Sequence, residues 1–339
     1  MSRRLWKPPY NYFLLPFSGV YWLGLQAWYL YDSLRKRKKF EAFTIVVGNL
    51  TVGGTGKSPL VYLLAKYLSK EFNVAVISRG YGRKKHDVIV LEPDADLPDV
   101  SETGDEPFLN FIKLARKVPF VICKDRIKAY EVAEEKFHPD VVILDDAYQY
   151  RKIVPDFSFL VFDKRVLSSR GFLLPAGPFR EPINAGKKAD IIAFNLKSRI
   201  MNGDELWQLK RIFPDKTFIL FKYRPEGLLD KCRFLEFTEV TKDIIAFAGI
   251  GDPESFLVTL DEVGFNVVKF FEFPDHHWYT SDEINKLKSH GYPLITTEKD
   301  YVRIKEKEGI LALVIEPELI DGMGIIEDLK ERIRKRGNI

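Results

Sequence analysis

Cysteine is nearly absent from this chain. Only Cys123 and Cys232 occur in 339 residues, which leaves no material for a disulfide framework or a cysteine-based zinc site and makes a reducing, cytosol-facing environment the default. An excess of charge is missing too. The 52 Lys and Arg against 48 Asp and Glu give a net charge of +4, so the total implies no nucleic-acid tract. No internal repeat and no low-complexity linker occurs. The length suggests two domains or one large one, and the 46% hydrophobic and 14% aromatic content supplies packed cores.

Charge of either sign is also lacking from Pro8 to Tyr31, a segment crowded with aromatics from Tyr10 and Phe13 to Trp22, Trp28 and Tyr31. A continuous helix over 8–31 would be about 36 Å long, enough to span hydrocarbon. Pro16 and Gly19 argue against continuity, and Phe17 to Tyr31 alone would reach only ~22 Å. Aromatics at this density suit the membrane–water boundary. The basic run Arg35-Lys36-Arg37-Lys38-Lys39 follows directly and would add on the order of 1 kcal/mol per residue against an anionic leaflet. A signal peptide fits poorly, because no small-residue cleavage site follows. An interfacial helix or monotopic hairpin, a true span and a buried core helix remain open, with membrane association favoured.

What is present most clearly is a phosphate loop. The apolar run Thr44 to Val47 leads into Thr51-Val52-Gly53-Gly54-Thr55-Gly56-Lys57-Ser58, and a helical pattern opens near Pro59. Strand, glycine loop, Lys-Ser and helix is the arrangement whose backbone N–H groups cradle phosphates. Lys57 is placed to reach the β/γ-phosphates of ATP and Ser58 to hold Mg²⁺. Two absences qualify the match. Thr51 stands where the first glycine belongs, and Val52 stands where a related variant of the loop carries lysine.

Apolar runs recur at Val74 to Ile77, Val88 to Leu91, Phe120 to Ile122, Val141 to Leu144, Phe159 to Phe162 and Ile191 to Phe194, with helical stretches between them. That alternation predicts a mainly parallel sheet with helices on both faces. The fourth of these runs ends in Asp145-Asp146, where a carboxylate would approach the metal. Asp105 precedes a helical pattern and reads either as an N-cap or as an acceptor for a substrate proton. Arg79, Arg126, Arg170 and Arg180 are candidate anion contacts, with Tyr81 beside the first and Glu181 beside the last.

Further on, Thr217 to Tyr223 and Arg233 to Phe237 read as two extended segments separated by Pro225-Glu226-Gly227, a ribbon able to hinge two lobes. Ile244 to Ala248, Asn266 to Phe271 and Leu294 to Thr297 predict a second α/β lobe. In Gly249-Ile250-Gly251-Asp252-Pro253, Glu254 occupies the third glycine position of a dinucleotide fingerprint, so Asp252 reads as an N-cap followed by a first-turn proline. Asp275-His276-His277 suits a histidine delivered from the second lobe on closure better than a metal site. Glu327 to Arg336 reads as a charged, solvated terminal helix.

Taken together the chain resembles the tetraacyldisaccharide 4′-kinase family, the lipid A 4′-kinases. The resemblance rests on the aromatic N-terminal anchor, Gly48 to Pro59, Arg79-Gly80-Tyr81-Gly82, Gly104-Asp105-Glu106-Pro107, Asp145-Asp146, Arg180-Glu181-Pro182, Phe247 to Gly251, Asp275-His276-His277 and Thr297-Glu298-Lys299-Asp300, in family order. It implies ATP- and Mg²⁺-dependent phosphorylation of the 4′-hydroxyl of a lipid A precursor at the cytosolic face of the bacterial inner membrane. It further implies a P-loop fold acting on a glycolipid, with no nucleic acid and no obligate protein partner. Asp105 as base and His276 would act together at the acceptor. Lys57 and Ser58 match the P-loop, Asp145 and Asp146 the metal pair, and Glu181 a metal-shell position, while Arg79, Tyr81, Arg126 and Arg180 match substrate contacts. Two departures stand out: the family typically reads Asp-Asp-Gly-x-Gln-His where this chain has Ala147 and Tyr150. The expected organisation is a membrane-associated helical segment (1–40), a P-loop NTPase-like α/β domain (41–215), a two-stranded hinge ribbon (216–238) and a smaller α/β lobe with a terminal helix (239–339). A membrane-associated P-loop ATPase switch without an acceptor is the alternative.

Overall fold

Phe43–Gly48 is a run of six buried residues, five of them branched or aromatic, and forms the strand β1. Such a run, apolar on both faces, belongs in the middle of a helix-covered sheet. The computed structural model describes residues 6, 9–81, 83, 87–168, 170–197 and 201–337. Pro8 and Gly82, quoted above, lie outside them. After β1 come β2 (Val74–Ser78), β3 (Ile89–Leu91), β4 (Phe120–Ile122), β5 (Val141–Asp145), β6 (Phe157–Asp163) and β7 (Ile191–Lys197). Then follow β8 (Thr217–Asp230), β9 (Arg233–Leu235), β10 (Asp243–Ala248), β11 (Asn266–Glu272), β12 (Leu294–Thr297) and β13 (Ile310–Asp321). The helices are α1 (Tyr10–Phe13), α2 (Leu15–Ser33), α3 (Lys57–Leu68), α4 (Val100–Thr103), α5 (Asp105–Lys113) and α6 (Arg126–Phe137). They continue as α7 (Arg165–Ser168), α8 (Gly203–Ile212), α9 (Pro253–Glu262), α10 (Ser281–Lys288), α11 (Glu298–Arg303) and α12 (Met323–Gly337).

Among the described residues all strands join one sheet of order β11-β10-β12-β13-β8-β7-β6-β1-β5-β2-β4-β3, with β9 on β8. The pairs are parallel apart from β3 on β4, β9 on β8 and β13 on β8. β1 lies between β5 and β6, so the phosphate loop and the Asp145-Asp146 turn emerge side by side at the same sheet edge. The expected α/β fold with a mainly parallel, helix-flanked sheet is the one observed.

At the junction the two extended segments pair antiparallel, from Leu228↔Leu235 to Asp230↔Arg233, but the first is longer than expected. Pro225-Glu226-Gly227 does not break an extended segment; β8 runs through it without interruption. Its longest partner is β13, a strand without a counterpart in the sequence reading, paired from Ala312↔Leu229 to Asp321↔Leu220. The register shifts between Val314 and Ile315, opposite Pro225, and a bulge is where a strand tolerates proline. Gly227 fits a close approach, since a Cβ there would sit 2.7 Å from the Leu235 carbonyl oxygen. β8 pairs with β7 on one side and β13 pairs with β12 on the other, so one ladder carries the sheet across both halves.

The terminal helix also differs from its solvated reading. Ile326, Leu329 and Ile333 of α12 are buried in the same cluster as Leu60 and Leu64 of α3 and Ile45 of β1. The charged residues of that helix mask an i, i+3, i+7 apolar stripe. At the other end, Pro16 occupies the first turn of α2 and starts it rather than breaking it, and the helix passes through Gly19 to Ser33. Its reach is about 28 Å, and among the described residues no helix is long and apolar enough to cross a membrane.

Because Phe221 of β8 is fully buried in the first half's core, Phe221→Ala is expected to cost about 3–5 kcal/mol. Urea unfolding should show this as a lower midpoint at an unchanged slope; a midpoint within error of the parent would contradict the packing described.

Candidate active site

The phosphate loop is held open by its neighbours. Gly53 and Gly56 have φ of 92° and 100°, and Gly56 is the left-handed cap that starts α3 at Lys57. A Cβ at Gly56 would fall on the Asn195 side chain, which itself donates to the Thr55 carbonyl at 3.2 Å and to the Tyr223 hydroxyl at 2.7 Å. Asn49 donates to Thr55 Oγ1 at 2.9 Å and accepts from Lys57 Nζ at 3.3 Å. Arg165 donates to the Gly54 carbonyl at 2.7 Å. Thr51 and Val52 are bridged to the 171–182 loop, with Val52 N donating to the Pro178 carbonyl at 2.9 Å. Ser58 is buried, and its Oγ accepts from Asn110 Nδ2 at 3.1 Å. The sequence-predicted loop residues, Thr51 to Ser58, therefore do form one cradle.

At the end of β5, Asp145 and Asp146 turn toward that cradle. Asp146 Oδ1 lies 3.6 Å from Lys57 Nζ and 3.4 Å from Arg180 Nη2, and its backbone is left-handed at φ 46°. Burial opposes its ionisation, but Lys57, Arg180 and Arg126 outweigh burial and hold the carboxyl below its ordinary range. Asp145 accepts from Ser78 Oγ at 3.2 Å through one oxygen, while the other is buried and without a hydrogen-bond partner. Burial, then the charges of Glu106 and Asp146, push it up to about 7. An orphaned carboxylate oxygen whose ionisation is penalised fits a site that receives a hard cation. Among the described residues no three His, Cys, Asp or Glu converge into a metal cage, which suits Mg²⁺, an ion held by one or two carboxylates plus phosphates and water.

The candidate arginines divide. Arg180 donates to Asn49 Oδ1 and to the Asn49 carbonyl at 3.3 Å, so it belongs to the cradle. Arg126, the first residue of α6, is buried and donates to the Asp146 carbonyl at 3.1 Å. Arg79 is exposed beyond β2, and Arg170, also exposed, pairs with Tyr12. Glu181 is buried but meets neither aspartate in a direct contact. It accepts from Tyr29 OH and, at 3.4 Å, from Arg151, while its Oε1 has no hydrogen-bond partner. Tyr21 OH donates to the Arg180 carbonyl at 2.8 Å, and Ser18 Oγ donates to the Leu173 carbonyl at 2.9 Å. One face of α2 is thus bound to the loop carrying Arg180 and Glu181.

The two departures in the Asp-Asp turn have plain structural consequences. The left-handed residue there is Asp146, not Ala147, so alanine meets no backbone penalty. Tyr150 donates to Asp125 Oδ1 at 3.0 Å and lies under the Arg126 guanidinium, 5.2 Å from ring centroid to carbon. Burial and the Asp125 hydrogen bond push the phenol up to about 12, so it stays neutral and props Arg126 in place.

Asp105 and His276, 171 positions apart in sequence, meet across the junction between the halves. Asp105 opens α5 after the cap residue Gly104, and its Oδ1 accepts from the Glu106 N–H at 2.9 Å. Its Oδ2 lies 3.2 Å from His276 Nδ1, and Tyr81 places its ring 5.4 Å from the imidazole. His276 is left-handed at φ 62°, pinned by its N–H to the Gly249 carbonyl at 3.0 Å. Its hydrogen bond to the Asp105 carboxylate raises the imidazole above its usual range. Its neighbour His277 pairs with Glu283 at 3.1 Å, so the two histidines do not share a ligand.

Sequence reasoning missed two ionic groups. Arg303 of α11 holds Asp105, and Lys197, left-handed at φ 60°, bridges Asp163 at 3.1 Å and Asp252 of the second half. Asp252 does cap α9 in position, yet its side chain makes no capping bond and pairs with Lys197 instead. Only the motif Thr297 to Asp300, next to Arg303, hinted at the first group; nothing marked the second. Between the halves runs a cleft lined by Lys57, Ser58 and Tyr62 on one wall and by Ile250, Phe256 and Leu313 on the other.

Comparison with known proteins matches this chain, over residues 10–334, to the family model described as tetraacyldisaccharide-1-P 4′-kinase. The tetraacyldisaccharide 4′-kinase of Aquifex aeolicus is 35% identical across 88% of this chain and 92% of its own length. That of Shewanella woodyi is 31% identical across 99% and 97%. A solved structure of the "apo" form of LpxK from Aquifex aeolicus, in complex with ATP, superposes with a TM-score of 0.75 at 31% identity, covering 95% of this chain and 99% of that one.

Gly56→Ala is expected to weaken ATP binding at least tenfold by calorimetry, because the new methyl drives Asn195 out of the loop. An unchanged affinity would show that the cradle does not need this geometry.

Proposed function

The chain belongs to the tetraacyldisaccharide-1-P 4′-kinase family, and we propose that the site just described performs that reaction with Asp105 as its base. The enzyme transfers the γ-phosphoryl group of ATP to the 4′-hydroxyl of a tetraacyldisaccharide 1-phosphate, giving lipid IVA. Family membership does not favour the acceptor-free ATPase switch. What supports the residue assignment is one observation: a buried carboxylate at the cradle's edge paired with a histidine from the other half of the sheet.

ATP lies in the cleft between the halves, its phosphates on the 51–58 loop and its base against Tyr62, Ile250, Phe256 and Leu313. Lys57 takes up charge shifting onto the β/γ oxygens. Ser58, Asp145 and Asp146 would hold Mg²⁺, which when bound would neutralise charge on those oxygens, and Glu181 accepts from Tyr29 of α2. The sugar oxygen attacks the γ-phosphorus as the bond to the β-bridging oxygen breaks, ADP leaves, and the hydroxyl proton passes to Asp105. His276 fixes the carboxylate's direction. Arg79, Tyr81 and Arg126 stand on the acceptor side. Closure of the second half over the loop excludes water, which would otherwise compete as acceptor.

The glycolipid reaches this site from a membrane surface. Phe17, Val20 and Leu23 of α2 are 61%, 70% and 62% exposed, while the opposite face is bonded to the catalytic loop. A helix apolar toward solvent and anchored toward protein suits the interfacial layer, with the 35–39 basic run toward anionic headgroups. These features support a position at the cytosolic face of the inner membrane.

Asp105→Asn should lower kcat about 10²–10⁴-fold with ATP affinity unchanged within a few-fold, measured by γ-phosphate transfer to the lipid in micelles and by calorimetry. Loss of ATP binding would mark Asp105 as structural. Replacing Phe17, Val20 and Leu23 together by Ser should remove most co-sedimentation with vesicles containing anionic phospholipid; undiminished binding would refute the interfacial assignment.

A further inference from the structure

Arg303 lies outside every part of the mechanism so far, yet it is among the most deeply buried charged side chains in the protein. Its side chain is 1% exposed and that of Asp105 is 5% exposed. Nε and Nη2 both donate to Asp105 Oδ2, at 3.0 and 2.7 Å. The remaining Nη1 donates to the Gly249 carbonyl and to Asp300 Oδ1, both at 3.1 Å, and to the His277 carbonyl at 3.4 Å. The Gly249 carbonyl is also the acceptor that pins His276. One guanidinium therefore ties the carboxylate of the first half to both loops that hold the histidine of the second.

We propose that Arg303 is a positioning residue for phosphoryl transfer, which saturates Asp105 Oδ2 so that Oδ1, which accepts only the Glu106 N–H at 2.9 Å among the hydrogen bonds of the described residues, keeps a lone pair for the acceptor hydroxyl. The proposal rests on Asp105 being the base. A planar fork is needed because this guanidinium makes five hydrogen-bond contacts from three nitrogens, while an ammonium has three donors on one nitrogen. The groups facing Asp105 are its neighbour Glu106 on α5, His276 from the 275–277 loop, and Arg303 and Lys299 from α11, with Lys299 paired to Glu106. Asp300 backs Arg303 and Asp275 backs His276. Burial alone would push the Asp105 carboxyl up. The His276 hydrogen bond and the Arg303 and Lys299 charges overcome it and hold the group well below the usual carboxylate range. Removing Arg303 reverses part of that balance, so the acid becomes protonated at higher pH.

The test is the pH dependence of kcat for lipid phosphorylation by the full-length enzyme in micelles, at saturating ATP. Wild type is compared with Arg303→Gln, Arg303→Lys and Asp105→Asn, each first checked by thermal melting. Arg303→Gln keeps a donor for the carbonyls but no charge; its acid limb should move up by about one to three units, with KM for ATP unchanged. Arg303→Lys keeps the charge without the fork; its limb should stay in place while kcat falls about tenfold. An Arg303→Gln limb at the wild-type position, with only a lower plateau, means a purely structural residue and overturns the proposal. Should Arg303→Gln not fold, Arg303→Lys decides: a wild-type kcat overturns the proposal. An Asp105→Asn enzyme that still phosphorylates the lipid overturns the base assignment itself, and is distinguished from the other failures by that variant alone.

Discussion

A carboxylate removed from water stays charged only if other groups replace the water's hydrogen bonds. Its own half of the molecule gives Asp105 the Glu106 N–H, on Oδ1. The donors to Oδ2, His276 and Arg303, come from the 275–277 loop and α11, so the charge of one half is stabilised by the other. Breaking one partner of such a buried pair typically costs about 3–5 kcal/mol. The reacting centre is thus complete only when the two halves are apposed, and the rest of the architecture serves that apposition. β8 and β13 join the halves, Lys197 and Asp252 bridge them near the phosphate loop, and the nucleotide cleft runs between them.

The phosphate loop obeys the same logic in reverse. There the protein gathers unmet donors and acceptors instead of satisfying them. Asn49 ties Thr55, Lys57 and Arg180 together, yet Asp145 retains a buried oxygen without a partner. Three polar residues around the centre, Asp146, Lys197 and His276, sit in left-handed backbone, a conformation costing about 1–3 kcal/mol for such residues. Local stability is sacrificed where chemistry requires direction.

Much of this was legible in the sequence because the signals are local. β1, the glycine loop and Lys57-Ser58 lie within sixteen residues, and Val141 to Leu144 followed by Asp145-Asp146 is equally compact. The parallel strands announced themselves as short apolar runs. Three things were hidden. β13 carries Pro317 and three glutamates or aspartates in its second half, so its alternation is poor and only pairing with β8 makes it a strand. α12 looked solvated because its charges outnumber a narrow buried stripe. Arg303 is one arginine among many, and only tertiary structure distinguishes a buried fork from a solvated one. Asp105 was ambiguous on spacing; Gly104 as the actual cap removed that ambiguity.

The uninterrupted passage of β8 through Pro225-Glu226-Gly227 has a mechanical corollary. A loop between two bodies swings freely, whereas a ladder of backbone bonds resists deformation and returns. Any parting of the two halves, to admit ATP or to release ADP, must be absorbed as torsion of β8 against β13, concentrated at the irregularities opposite Pro225 and near Asp321, where the ladder is already offset. A ladder offset at two places, Val314/Ile315 and Leu319/Asp321, would therefore twist there first and resist twisting elsewhere.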